Sequence, residues 1–139
     1  MAVMQCDIVS AEREIFSGTV SMVSATGTVG ELGILPGHAP LLTGVRPGPV
    51  RLRMENGSEE VFFASGGFLE VQPGVVTILA DTALRADDLD EAAALQAKEQ
   101  AERTLSERGA DIDQAQVQAI IADAVAQLRL LDELRRRRR

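Results

Sequence analysis

The sequence predicts two kinds of structure in succession, an all-β domain and then a pair of helices. Eleven of the 12 glycines, all 5 prolines and all 4 phenylalanines precede Asp81, whereas alanine occurs 6 times before Asp81 and 13 times after it. Glycine and proline punctuate strands and turns, and alanine favours helix. We therefore expect a β domain at residues 1–86 and a helical domain at residues 87–139.

The first half of the chain alternates short strands with turn residues. Apolar and polar residues alternate at 4–8 and at 50–54, as in a strand with one buried face. Asn56-Gly57 predicts a hairpin after the second of these strands, because both residues tolerate positive φ. Further strands are predicted at 60–64, 68–71 and 75–80. Turn signals at intervals of roughly 8–12 residues are typical of an antiparallel sandwich or barrel.

The second half carries two helical patterns. Asp87 or Asp88 is expected to cap the first helix, which Gly109 ends, and Asp111 or Asp113 is expected to cap the second. The predicted apolar face of the first helix is Leu89, Ala93, Ala97, Ala101 and Leu105. That of the second helix is Val117, Ile121, Ala124, Leu128 and Leu131. The short connection favours an antiparallel hairpin.

The contact between these two helices is predicted to be weak. Each buried methyl group contributes about 0.8 kcal/mol, so an alanine-rich face adds only a few kcal/mol before the entropic cost of ordering. In that range two conformations can coexist and a partner can select one of them. A hairpin packed permanently on the β domain remains the alternative.

Composition excludes several classes of protein. A net charge of −7 argues against a nucleic-acid-binding protein. The single cysteine, Cys6, falls in an alternating strand and is expected to be buried, and one cysteine with one histidine supplies no metal site. No apolar run approaches the roughly 18 residues of a membrane span, and the N-terminus lacks the pattern of a signal peptide. We expect a cytosolic protein without metal or cofactor.

Two motifs could indicate nucleotide binding or catalysis, but neither has the companion residues that such a function requires. Gly27, Gly30 and Gly33 are not followed by the Gly-Lys-Ser/Thr of a phosphate loop and lead into a Pro-Gly turn. Residues 35–42 form a stiff loop around His38, but no nucleophile or second base accompanies that histidine. We expect a non-catalytic protein whose rigid loop is presented to a partner.

The loop lies in a longer motif that resembles a known family. The run Gly30-Glu31-Leu32-Gly33-Ile34-Leu35-Pro36-Gly37-His38-Ala39-Pro40-Leu41-Leu42 resembles the signature loop of the epsilon subunit of bacterial F-type ATP synthases. The resemblance extends to 10–12 with 16–18, to 65–67 with 69–73, and to 79–83. It therefore covers nearly the whole chain in the expected order.

The resemblance implies a fold, a place and a role. Subunits of this family have an N-terminal antiparallel β-sandwich of about ten strands and a C-terminal two-helix antiparallel hairpin. They sit in the central stalk against the gamma subunit and the polar loops of the c ring, on the cytoplasmic side of the bacterial inner membrane and without inserting into it. They are not enzymes; they couple the catalytic head to the ring for proton-driven ATP synthesis and restrain ATP hydrolysis. Glu31 and His38 correspond to the ring-facing loop.

In this family basic groups on the extended second helix meet the alpha/beta head. As one continuous helix, the roughly 45 residues after Asp88 would span about 70 Å, with a weak point near Gly109. Residues 87–139 carry 9 basic and 12 acidic groups, and the chain ends in five arginines. Arg129 and the terminal run, Arg135, Arg136, Arg137, Arg138 and Arg139, are the candidate head contacts. A solvated tail, or a cationic end that suits the helix dipole, is the alternative.

Some family members bind ATP in the hairpin through an Ile/Leu-Asp-x-x-Arg-Ala motif. This chain keeps Asp90 of that motif but has Ala93 in place of the arginine. Without the guanidinium a charged donor to phosphate is missing. We expect weak or absent ATP binding.

Two other kinds of protein remain possible on the residues alone. One is a standalone β-domain adaptor whose helical hairpin binds another protein. The other is a protein that binds an anionic surface through the terminal arginines, and its affinity would disappear when the last five residues are removed.

Overall fold

The chain divides into two compact units, Met1–Ala86 and Asp87–Arg139. A computed structural model describes residues 2–108 and 113–137. The first unit contains the strands β1 Met4–Ser10, β2 Glu14–Gly27, β3 Gly30–Ile34, β4 Leu41–Val45, β5 Gly48–Met54, β6 Glu59–Ala64, β7 Gly67–Gln72, β8 Val75–Ala80 and β9 Ala83–Arg85. A 3-10 turn, Ala86–Asp88, precedes the helices α1 Glu91–Arg108 and α2 Gln114–Arg137.

The strands form a β-sandwich whose two layers are linked through β2. The hydrogen-bonded order is β1-β8-β7-β4-β2-β5-β6-β9, with β3 beside β2. The first part of β2 pairs with β1, and its second part pairs with β3 and β5. Because β2 has 14 residues, one strand is long enough to serve both layers.

Alternating apolar residues fill the space between the layers. Phe62, at 0% exposure, lies in the core, and the ring of Phe16 meets it edge-on with centroids 5.5 Å apart. Cys6 is also fully buried, as expected from its strand pattern, and burial raises the pKa of its thiol to about 12. The rest of the buried cluster comes mainly from β1, β2, β5, β7 and β8 and includes Ile8, Val20, Val23, Val50, Leu52, Leu69, Val76 and Ile78.

The predicted sandwich is confirmed, with three differences in detail. Nine strands are found in the described residues, against the ten or so that the resemblance implies. One pairing, β1 with β8, is parallel rather than antiparallel. These strands are joined by no hairpin, so no turn sets their relative direction.

The third difference concerns the turn at Asn56-Gly57. The predicted hairpin between β5 and β6 is present, but only Gly57 has a positive φ, at 89°. Asn56 contributes through its side chain instead, since Oδ1 accepts hydrogen bonds from the Ser58 amide at 2.9 Å and the Ser58 hydroxyl at 2.6 Å.

Each helix begins at an aspartate cap. The expectation of Asp87 or Asp88 for α1 is wrong, because both lie in the 3-10 turn and the helix starts three residues after Asp88. Asp90 is the cap, and its Oδ1 accepts from the Ala93 amide at 3.1 Å. For α2 the cap is Asp113, which accepts from the Ala115 amide at 3.1 Å. Gly109 and Asp111, the predicted helix end and the alternative cap, lie outside the described residues.

The predicted apolar face of α1 is only partly correct. Ala93 and Ala97 are exposed, whereas Ala94 and Ala101 are buried. A strict four-residue spacing drifts about 40° per step around a helix of 3.6 residues per turn, so it cannot follow one face. On α2 the predicted stripe is at least half-buried throughout, and the sequence reading missed Leu130, which is 1% exposed.

Candidate functional site

The loop that contains Glu31 and His38 is held by β3. Glu31 is the second residue of β3 and pairs with Thr26 of β2, and its side chain is exposed. His38 follows the other end of the strand, in a turn closed by its own amide, which donates to Leu35 O at 3.1 Å. A strand rises about 3.3 Å per residue, so the two side chains lie at opposite ends of β3, about 10 Å or more apart. They can meet one extended partner but do not form a common site.

His38 is an exposed side chain with a defined orientation. Its Nδ1 lies 2.6 Å from Ala39 O. A carbonyl oxygen only accepts, so this bond places the proton of the neutral ring on Nδ1 and leaves Nε2 free as an acceptor. In that tautomer the ring presents Nε2 to a partner as an acceptor.

A second surface, which the sequence reading missed, lies on the outer face of β4, β7 and β8. Leu42, Phe68 and Leu79 are 66%, 56% and 52% exposed, although each sits in a strand next to buried residues. Phe68 pairs directly with Leu79 on β8 and with Gly44 on β4, and Leu42 lies on the diagonal from Phe68. We call these three side chains the apolar patch. Apolar residues at outward strand positions are the signal that could have revealed it.

The side chains of the candidate arginines of α2 point to two different sides of the helix. Arg129 is exposed, and Arg136 follows it by seven residues, which places the two about 20° apart around the helix. Arg136 pairs with Asp132 at 2.8 Å and Arg137 with Glu133 at 3.3 Å, each within α2. Arg138 and Arg139 lie outside the described residues.

Arg135 is directed elsewhere. Its Nη1 donates to Glu91 Oε1 at 3.2 Å, and its Nη2 pairs with Glu91 Oε2, so the guanidinium bridges α2 to the first residue of α1. This bond to Arg135 lowers the pKa of the Glu91 carboxyl, and the bond to Glu91 raises the pKa of the Arg135 guanidinium. Arg135 is therefore engaged within the helical unit rather than presented with Arg129.

The segment that corresponds to the ATP motif contains no free arginine near its start. Asp90 is occupied as the helix cap, and Ala93 is an exposed methyl group. Arg85, close by in sequence, pairs with Glu60 at 2.9 Å and stacks 5.0 Å above the Phe62 ring. These contacts hold Arg85 in the β unit, so it is not available to replace the motif arginine.

Neither a metal cluster nor a membrane-spanning helix is found in the described ranges. Across residues 2–108 and 113–137, no three His, Cys, Asp or Glu side chains come together as metal ligands. Over the same ranges neither helix is long and apolar enough to cross a bilayer.

Comparison with protein families assigns both units. Residues 3–86 match the model of the ATP synthase delta/epsilon chain β-sandwich domain, and residues 87–132 match that of the ATP synthase delta/epsilon chain long α-helix domain. The chain belongs to the ATP synthase delta/epsilon chain family. The resemblance to the bacterial epsilon subunit drawn from the sequence motifs is thereby confirmed.

Individual members of the delta/epsilon family match over their whole length. The ATP synthase epsilon chain of Acinetobacter baumannii is 55% identical over 137 residues, 99% of each chain. That of Chromohalobacter salexigens is 56% identical over 135 residues, 97% of this chain and 96% of the relative.

Two solved structures share the fold at low sequence identity. A chain of the Euglena gracilis mitochondrial ATP synthase superimposes with a TM-score of 0.82 at 22% identity, covering 94% of this chain and 82% of that one. A chain of the Tetrahymena thermophila enzyme gives a TM-score of 0.58 at 16% identity, covering 94% and 95%. The delta/epsilon fold, a β unit with two helices, is thus the one seen in both enzymes.

Proposed function

We propose that this chain is the central-stalk subunit of an F-type ATP synthase, which couples the catalytic head to the membrane c ring and restrains ATP hydrolysis through its C-terminal helices. The observation that carries the proposal is the 55% identity over 99% of the chain to a protein named ATP synthase epsilon chain. The subunit itself does no covalent chemistry. It sits on the cytoplasmic side of the bacterial inner membrane as a peripheral part of the complex.

The β unit is the part that docks on the rotor. The apolar patch is suited to the gamma subunit, because contiguous exposed Leu and Phe side chains on a regular sheet are typical of a protein–protein interface. The loop with Glu31 and His38 offers a carboxylate and a ring acceptor to the polar loops of the c ring. A rigid β-sandwich that carries both surfaces transmits torque without deforming.

The helical unit is the part that restrains hydrolysis. Its buried side chains include Ala94, Ala101, Ala124 and Leu130, three of them alanines. A contact of small side chains contributes little free energy, so the hairpin can open at low cost. Opened into one continuous helix, residues 91–137 span about 70 Å and bring Arg129, Arg136 and the arginines that follow Arg136 to the alpha/beta head.

ATP is not expected to control this opening. The motif arginine is replaced by Ala93, and Asp90 is engaged as a cap. Regulation then depends on the balance between the folded and extended helices themselves.

The decisive experiment titrates an epsilon-free bacterial catalytic head with the full chain and with a truncation that ends at Ala86. Both proteins should bind the head and gamma, because both retain the apolar patch. Only the full chain should inhibit ATP hydrolysis. Equal inhibition by the truncation would contradict the assigned role of the helices, and failure of both to bind heads from several bacteria would contradict the proposal as a whole.

A further inference from the structure

One ion pair joins the two helices near the ends that lie farthest from their connection. Glu91 is the first residue of α1, and Arg135 lies two residues before the end of α2 at Arg137. Both guanidinium Nη atoms contact the carboxylate, Nη1 to Oε1 at 3.2 Å and Nη2 to Oε2. A bidentate contact of this kind is the strongest geometry for an arginine–carboxylate pair.

Other ion pairs of these helices have a different character. Lys98 with Glu102, Asp132 with Arg136, and Glu133 with Arg137 each join residues four apart on one helix. Such pairs form in an isolated or extended helix as readily as in a hairpin. Glu91 and Arg135 are 44 residues apart in sequence. In one continuous helix that separation corresponds to about 66 Å, so the pair exists only in the hairpin.

Building on the proposed function, we infer that Glu91 and Arg135 form a clasp, which holds the helices as a hairpin and opposes the extension that restrains hydrolysis. The clasp assigns Arg135 a role opposite to that of the arginines around it. Arg135 points about 120° away from Arg129 around α2, whereas Arg136 shares the side of Arg129. Arg135 thus favours the hairpin, whereas Arg129 and Arg136 lie on a different side of α2 from the clasp.

The free energy that the clasp contributes is small, as a contact that must break when the hairpin opens requires. The two side chains are 56% and 48% exposed, so water screens the attraction. Exposed pairs shift an equilibrium by roughly two- to five-fold. A shift of that size matters here because the buried side chains that the structure describes in α1 are two alanines, Ala94 and Ala101, which contribute little free energy to the contact. A much stronger pair would lock the hairpin and abolish the regulation.

The test measures the distance between α1 and α2 in the full chain. Spectroscopic labels are placed on cysteines at Gln96 and Ala122, which are exposed positions. Cys6 is fully buried and its thiol pKa is raised to about 12, so it does not compete for the label. The two labels lie on neighbouring helices in the hairpin but about 39 Å apart in one continuous helix.

The variants form a double-mutant cycle. E91Q and R135Q should each raise the ratio of extended to folded chain by about two- to five-fold. The combined variant should be no more extended than R135Q alone, since the second substitution removes a pair already broken. The matched control K98Q removes a pair within α1 and should leave the distance distribution unchanged. Unchanged distances in E91Q and R135Q, or fully additive effects, would overturn the clasp.

A second measurement separates the clasp from the proposed function. If both hold, R135Q and E91Q lower the concentration needed for half-inhibition of an epsilon-free catalytic head by about two- to five-fold. A longer label distance without a change in inhibition supports the clasp and contradicts the restraining role of the helices. A change in inhibition without a change in distance overturns the clasp.

Discussion

Phe68 and Leu79 face each other across β7 and β8 on the outer side of the sheet, where both are more than half exposed. We predict that Phe68→Ser weakens binding to the gamma subunit by about 2 kcal/mol, roughly thirty-fold in Kd. The free energy of unfolding should change by less than about 0.5 kcal/mol, because the ring is already solvated in the free chain. Titration calorimetry against gamma and denaturant unfolding measure the two quantities.

The neighbouring residue provides the control for this substitution. Leu69 is fully buried, so Leu69→Ala should cost about 2–5 kcal/mol of stability by leaving a cavity. If Phe68→Ser also destabilised the fold by this amount, or left gamma binding unchanged, the apolar patch would not be a docking surface.

Gly67 is predicted to be the glycine least tolerant of a side chain. It has φ 138°, and a Cβ there would collide with the carbonyl oxygen of Leu79 and lie 2.9 Å from the Ala80 Cα. Gly67→Ala should therefore cost about 3 kcal/mol or more, from backbone strain and from the clash together. Gly74, with φ 77° and open space around it, is the matched control, and its alanine variant should cost about 1 kcal/mol. Equal midpoints in urea unfolding would contradict the prediction.

Local features of the fold could be predicted from the sequence. The predictions that were wrong or missing depend on contacts between distant residues or on exact element boundaries. The Asn56-Gly57 hairpin was correct because its determinants lie within a few residues. The parallel pairing of β1 with β8 could not be predicted, since no turn connects them. A three-residue 3-10 turn moved the cap of α1 from Asp87 or Asp88 to Asp90.

The sequence predicted some residues of the candidate site and missed others, because it does not show contacts between distant parts of the chain. Glu31 and His38 are exposed where the motif placed them, but motif order did not show that β3 separates them. The sequence placed Phe68 in a strand but did not show which face of the sheet its side chain occupies. An apolar residue at an outward position has the same sequence pattern as a core residue. The contact of Arg135 with Glu91 spans 44 residues, a distance over which charge patterns carry no pairing information.

Replacing Ala93 with arginine should create ATP affinity, since we expect the wild-type chain to bind ATP weakly or not at all. The wild-type chain should give no calorimetric signal with micromolar ATP. Ala93→Arg restores the motif, and a charged hydrogen bond of about 1.5–3 kcal/mol should tighten binding by at least about tenfold. Ala92 is an exposed neighbour one residue out of register, so Ala92→Arg should have no effect. A micromolar Kd for the wild-type chain would show that other groups replace the arginine.

Asp123 should make the chain more stable as the pH falls toward the carboxyl range. Desolvation raises the pKa of its carboxyl in the folded chain. Oδ2 accepts from Gln127 at 2.9 Å, while Oδ1 is buried without a partner among the described residues. A raised folded-state pKa means that the folded state binds more protons than the unfolded state, so protonation of Asp123 favours folding.

Substitution isolates this contribution from those of other carboxyls. Asp123→Asn should be more stable than wild type at pH 7, where wild type carries the partly buried charge, and the advantage should shrink as Asp123 becomes protonated. The difference in Tm between the two proteins is measured by thermal unfolding in a series of matched buffers from pH 3 to pH 7. A difference in Tm that does not depend on pH would assign the effect to packing instead.

The terminal arginines should act on inhibition in two opposite directions. Replacing Arg136, Arg137, Arg138 and Arg139 with glutamine removes up to four exposed contacts of about 0.2–1 kcal/mol each, and should weaken inhibition of the catalytic head by at least about fourfold. Replacing Arg135 alone should strengthen inhibition, because it opens the hairpin. Glutamine at the exposed Arg13 and Arg53 removes two positive charges from the β unit instead and should leave inhibition unchanged. Raised salt should weaken inhibition by wild type and have less effect on the four-residue variant, because screening acts on contacts that the variant has already lost. Inhibition that is insensitive to both salt and the four substitutions would mean that the tail is solvated in the inhibited complex.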